Sequence, residues 1–150
     1  MTRTLVLLAV IAVSGIGAAT AAEAPDANDV IAVRKAGQDL VLGDFTGMLQ
    51  AAKNKVPDVK PFAKPAFAIA GWERVFLTMF PPGSDHGENT KALPAIWSNR
   101  AGFEKAGQKL ASEAGKLGDF AKSGDQAGFA SQVHVVGDAC TACHKQFRAH

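Results

Sequence analysis

Tyrosine is missing from the 150 residues, tryptophan occurs twice, and aromatic side chains make up only 7% of the chain. β-Branched residues are scattered and no segment alternates apolar and polar positions with period two, so a sheet is excluded as the frame. A charge excess is lacking too: 16 Lys plus Arg against 14 Asp plus Glu leave +2. Such a balance cannot neutralise many phosphates, which excludes nucleic acid as a partner, and it offers no long-range electrostatic steering. There are two cysteines, three positions apart. They cannot form the disulfide framework that staples small secreted scaffolds. What is present is 47% apolar and 20% charged, the composition of one soluble domain and not of a disordered tail. Internal repeats and low-complexity tracts are absent.

The one long hydrophobic run lies at the start. Arg3 supplies a short basic region, Leu5 to Val13 is an unbroken apolar stretch, and Ser14 to Ala22 is small and ends in Ala19-Thr20-Ala21. This is the layout of a secretory signal peptide over residues 1–22, with cleavage after Ala21 or Ala22. As a membrane anchor the stretch is too short and too rich in small residues. An exported protein without a membrane anchor is expected, placed in the periplasm, with residues 23–150 as its single domain. Removal takes Arg3 and no acid and leaves a charge of +1.

The prolines partition the mature chain. Pro57, Pro61 and Pro65 crowd one loop, Pro81-Pro82-Gly83 make a second break, and Pro94 stands where a helix would begin. Helix one is expected from Asp26 or Asn28 to about Lys53, with Val33, Gly37, Leu40, Val41, Phe45 and Met48 along one broad side. Helix two is expected over Ala66 to Phe80, with Ile69, Trp72, Phe76 and Met79 as its stripe. Helix three, from Leu93, carries Ile96, Phe103, Leu110 and Leu117 at intervals of seven, with small Gly107, Ala114 and Ala121 beside them, a seam suited to close antiparallel packing. Helix four, Gln126 to Ala149, places Phe129, Val133, Val136, Cys140, Cys143 and Phe147 at alternating steps of four and three, so both cysteines fall on its apolar face. The fold class is all-α, an antiparallel four-helix bundle.

Cys140-Thr141-Ala142-Cys143-His144 is the motif that carries chemistry. Two thiols three residues apart can add to the two vinyl groups of a haem, and the adjacent imidazole then reaches the iron from the same side. On a helix the three residues are neighbours on one face. Three other readings compete. A thiol–disulfide oxidoreductase would place its pair at a helix N-terminus in a βαβ setting, where the dipole lowers a thiol pKa. A structural zinc site needs a fourth ligand, for which His86, His134 and His150 are the available residues. The cysteines could also be merely small buried hydrophobes, which leaves His144 on an apolar face unexplained. Covalent haem fits best, and it accounts for an apolar face that three Ala- and Gly-rich helices cannot cover.

With these residues in view the chain resembles the cytochrome c' family. The run from Cys140 to Arg148 matches the family's C-terminal Cys-x-x-Cys-His-x-x-Phe-Arg pattern, and Val33-Arg34-Lys35, Phe80-Pro81-Pro82-Gly83 and Leu93-Pro94-Ala95-Ile96-Trp97 follow in the family's order. The resemblance implies one haem c, thioether-linked to Cys140 and Cys143, with His144 as axial ligand. It further implies that Arg34 approaches a haem propionate and that Arg148 is the basic residue on the ligand side. Lys35 stands where the family more often has Gln. In the family, a side chain about four residues after the arginine covers the open face of the iron, often Leu, or binds it as Met in low-spin members. Here that position is Gln38, an amide able to donate to a bound diatomic. Met48 and Met79 both fall among the core positions. The expectation is a five-coordinate, high-spin carrier or binding protein and not an enzyme. It would exchange single electrons with redox partner proteins or bind NO or CO, as a homodimer with Trp72 or Phe76 at the interface. A low-spin His/Met electron carrier of the same fold is the alternative.

Overall fold

A computed structural model describes residues 26–149; the expected signal peptide lies outside the described residues. Five helices follow in order: α1 (Ala27–Lys53), α2 (Ala63–Phe76), α3 (Ala95–Ser98), α4 (Arg100–Ser123) and α5 (Gln126–Phe147), with a 3-10 turn at Lys60–Phe62 before α2. The four long helices form a ring in which α1 and α4 each pack against both α2 and α5. Among the described residues the only β pairing is a single bridge between Ala92 and Arg148.

Local chemistry sets the ends of these helices. Asp26 caps α1 by accepting from the Asn28 N–H at 2.7 Å. Asn99 caps α4 through the Gly102 N–H, and Asp125 caps α5 through the Gly128 N–H, each satisfying a donor the helix itself cannot. Gly124 closes α4 with φ at +77°, a conformation that glycine adopts without strain. Two residues thus join α4 to α5 and force them antiparallel.

Three boundaries differ from expectation. Pro65 lies inside α2, which begins at Ala63, because a first-turn N–H has no helical acceptor and its loss costs nothing there. The same helix stops at Phe76, and Met79 and Phe80 belong to the turn that follows. Helix three is split: at Asn99 the backbone leaves the helical region (φ −123°, ψ 55°) so that its side chain can cap α4.

The heptad seam of α4 is buried as expected, at Phe103, Gly107, Leu110, Ala114, Leu117 and Ala121, and Ile96 continues it on α3. On α1 the buried line runs instead through Ile31, Arg34, Gly37, Val41 and Met48. Val33 and Leu40, expected on the apolar side, are 48% and 73% exposed. The core falls into two clusters. The larger joins Val41, Met48, Ile69, Leu110, Leu117, Phe129, Val133 and Val136. The smaller joins Leu77, Phe80, Ile96, Phe103 and Phe147.

Candidate functional site

The cysteine pair sits where the two clusters meet. Cys140 is half-buried against the larger cluster and Cys143 half-buried against the smaller. Trp72 and Phe76 of α2 divide in the same way. His144 is exposed, and Phe147 anchors the end of α5 in the smaller cluster. The expectation of two cysteines on a buried face is thus corrected to two cysteines at its edge, bordering the seam between the clusters.

Packing register identifies what faces them. A Cβ at Gly137 on α5 would stand 3.1 Å from the Phe45 ring of α1. From that contact, successive turns back along antiparallel α1 reach Val41 and Gln38, while the matching turns along α5 reach Thr141 and His144. One turn before Val41 on the same buried line of α1, Trp72 lies flush on Gly37: a Cβ there would come within 1.8 Å of the indole. Trp72 and Phe76 are both half-buried, Trp72 against Gly37 and Phe76 against the Phe80 and Phe103 rings of its own chain.

Gln38 is turned into the bundle, but its Nε2 donates to Glu73 Oε1 at 3.1 Å. Glu73 is only 4% exposed. Burial pushes its carboxyl above the ordinary carboxylate range, and the Gln38 hydrogen bond partly offsets this. Its charge reaches both cysteines. Glu73 is the site residue that sequence reasoning missed; a lone Glu beside Trp72 in an apolar stripe was the available signal.

Arg34 is buried, 4% exposed, and is not a solvated residue. Its guanidinium donates to the Met79 carbonyl (3.2 Å), to Ser84 Oγ (3.2 Å) and to the Ser84 carbonyl (2.8 Å), and it lies 4.2 Å from the centre of the Phe80 ring. None of these partners carries negative charge. Lys35 donates to the Glu88 carbonyl at 3.0 Å on the surface. Arg148, expected in the last turn of α5, is the extended residue just past it; its N–H donates to the His144 carbonyl. The segment beyond α5 is tied down by the Leu93 N–H to the Phe147 carbonyl and the Ala149 N–H to the Lys91 carbonyl.

Protonation states decide between the competing chemistries. Burial and the Glu73 charge push both thiols up to about 11, and at Cys140 the neighbouring Cys143 adds to the effect. A redox pair needs the opposite, a stabilised thiolate. Among the described residues no three His, Cys, Asp or Glu side chains gather as a metal site, so the structural-zinc reading has no support. Although the residue is exposed as a whole, partial desolvation of its ring and the Arg148 charge lower the His144 pKa, which favours the neutral imidazole that ligates metal.

These residues fit a covalently held haem. Two neutral sulfurs flank the seam between two apolar clusters, and a neutral imidazole follows them. Among the described residues the buried indole N–H of Trp72 meets no partner, an arrangement rare in a native interior and suited to an acceptor on a bound group.

Comparison with known proteins agrees. The family model described as cytochrome C' matches residues 29–148. Cytochrome c' of Rubrivivax gelatinosus is 36% identical over 121 residues, covering 80% of this chain and 94% of the relative. Cytochrome c-556 of Agrobacterium tumefaciens (strain II Chrys) is 32% identical over 77% of this chain and 93% of its own. The crystal structure of the Rubrivivax gelatinosus protein superposes with a TM-score of 0.75 at 35% identity, covering 82% of this chain and 97% of that one. A variant of cytochrome c prime from Alcaligenes xylosoxidans, solved as its nitric oxide complex, superposes at 0.76 with 26% identity, covering 85% of this chain and 99% of that one. By sequence over most of its length and by the superposed four-helix bundle, the chain belongs to the cytochrome c' family, whose members carry one covalently attached haem of c type.

Proposed function

We propose that this chain is a periplasmic single-haem cytochrome, exported by residues 1–22, that carries single electrons or binds a small gas at five-coordinate, high-spin iron, and that it is not an enzyme. Cys140 and Cys143 hold the haem as thioethers and His144 is its protein axial ligand. Arg34 supplies a buried positive charge that has no anionic partner among the described residues, which suits a propionate. Trp72 Nε1–H is a second donor for an acceptor on the haem. Arg148 places positive charge beside His144 and favours its neutral form. Lys35 secures the loop around Glu88 at the edge of the site. When bound, the haem supplies a one-electron iron couple and a coordination position for a diatomic ligand.

One observation carries this reading: Cys140 and Cys143 stand on either side of the seam between the two apolar clusters, with His144 next in the helix. Five-coordination is supported by the methionines. Met48 is fully buried in the larger cluster, and Met79 follows α2 in the turn that Arg34 binds. Gln38 is directed to Glu73, so Val41 is left as the apolar cover from α1. Structures of the Alcaligenes xylosoxidans relative with nitric oxide and carbon monoxide support gas binding. Among the described residues no helix is long and apolar enough to cross a membrane, in keeping with a protein free of an anchor once the leader is removed.

The test is the mass and absorption spectrum of the exported protein. The expected result is a chain heavier by one haem, high-spin in the reduced state and shifted by carbon monoxide. A low-spin spectrum that ignores carbon monoxide would replace this reading with the His/Met carrier, and an unmodified chain with both sulfurs free would end it.

A further inference from the structure

Glu73 has no part in the reading above, yet it is the buried acid of the site. It lies on α2, is only 4% exposed, and its hydrogen-bond partner, Gln38 at 3.1 Å, is a neutral amide, while its charge helps to raise the pKa of both cysteines. The cations around it are engaged elsewhere. Arg34, one turn before Gln38 on α1, is held by Met79, Ser84 and Phe80. Arg74, its neighbour on α2, donates to the Ala70 carbonyl. From α4, Arg100 pairs with Glu104 and donates to the Leu77 carbonyl. From α5 the facing titratable groups are Cys140 and Cys143, with His144 and Arg148 beyond them.

We propose that Glu73 is the proton acceptor coupled to electron uptake at this site. The inference rests on the haem reading. One electron from an external one-electron donor reduces ferric to ferrous iron, and the Glu73 carboxylate binds one proton from water to become the carboxylic acid. The charge inside the bundle is then unchanged. The physical reason is that reduction removes one positive charge near a carboxylate held in a poorly polarisable interior, where that charge had stabilised the ionised form. Coupling between the two sites is reciprocal, so raising the pH disfavours reduction to the same extent that reduction favours protonation. Gln38 sets where this happens, because its hydrogen bond favours the carboxylate.

The experiment is the reduction potential of the haem-loaded protein between pH 5 and 9, with a reduced-minus-oxidised infrared spectrum. The potential is expected to fall with rising pH over one window, approaching a tenfold change in the equilibrium constant per pH unit, which is 59 mV for one electron. The infrared difference should show a protonated carboxyl band in the reduced form. Glu73→Gln abolishes both the slope and the band. Gln38→Leu keeps Glu73 and moves the window to higher pH. Should Glu73→Gln take up no haem, Glu73→Asp and Gln38→Leu carry the test. A wild-type profile that is flat, or a slope and band that persist in Glu73→Gln, overturns the proposal with the haem reading intact. A chain without haem by mass overturns the reading itself, and the proposal with it.

Discussion

Glu73 also makes a prediction about stability, independent of iron. Its folded-state pKa is raised above the ordinary value of 4.5, so the folded chain holds this proton more tightly than the unfolded one. Its contribution is fully present below about pH 4.5 and is lost as pH rises through the higher folded value. Glu73→Gln keeps the shape and the hydrogen-bonding capacity but carries no charge. It is expected to unfold at a higher temperature than wild type at pH 7.5 and at the same temperature near pH 3.5, read by circular dichroism melts at both values. A variant that is less stable at neutral pH would show that the carboxylate is better solvated than its burial implies. The grouping of Cys140, Cys143 and His144 on one helical face was legible from spacing alone, because three residues on one face need no tertiary knowledge. Glu73 was not, since its meaning depends on Gln38, 35 positions away, and on cysteines nearly 70 positions away. Gly37 is similar: its place in the apolar line of α1 was visible, but the indole seated on it belongs to another helix.

At the scale of elements, periodicity located the helices and cap chemistry placed their ends. The seven-residue seam of α4 was legible because bulky and small residues alternate along it, and burial follows that alternation. The split at Asn99 was not, because the apolar pattern runs through it unbroken from Ile96 to Phe103; what breaks the helix is a polar side chain that turns back to the Gly102 N–H at 3.2 Å. Val33 and Leu40 misled for the opposite reason, since apolar character was taken to mean inward position, which holds only in one direction. Asn99→Ala removes the cap while leaving the seam intact. It is expected to cost about 1 kcal/mol, lowering the thermal midpoint by roughly 4 °C for a chain of this size, with Asn99→Asp near wild type. An unchanged midpoint for Asn99→Ala would mean that the packing of α3 alone sets the break.

For the molecule as a whole, the exposed side of α1 carries a regular stripe of small and apolar residues. Val33, Ala36, Leu40, Gly43 and Gly47 recur at steps of three, four, three and four and are all exposed, which is the spacing of a helix-packing seam. Added Cβ atoms at Gly43 and Gly47 would meet nothing within 4 Å, so one end of the stripe is open to close approach by another helix, while Leu40, at 73% exposure, stands out as a knob. A second copy of this chain is the occupant we propose, its own α1 crossing the same stripe in an isologous contact. The stripe and the seam between the two clusters lie on different sides of α1, so pairing need not touch the haem. Leu40→Glu is therefore expected to convert a dimer to a monomer in sedimentation velocity while leaving the reduced absorption spectrum unchanged. A charge facing its own symmetry mate costs binding twice over, in lost apolar burial and in like-charge repulsion. Wild-type protein that already sediments as a monomer, or a variant that stays dimeric, would assign the stripe to solvent instead.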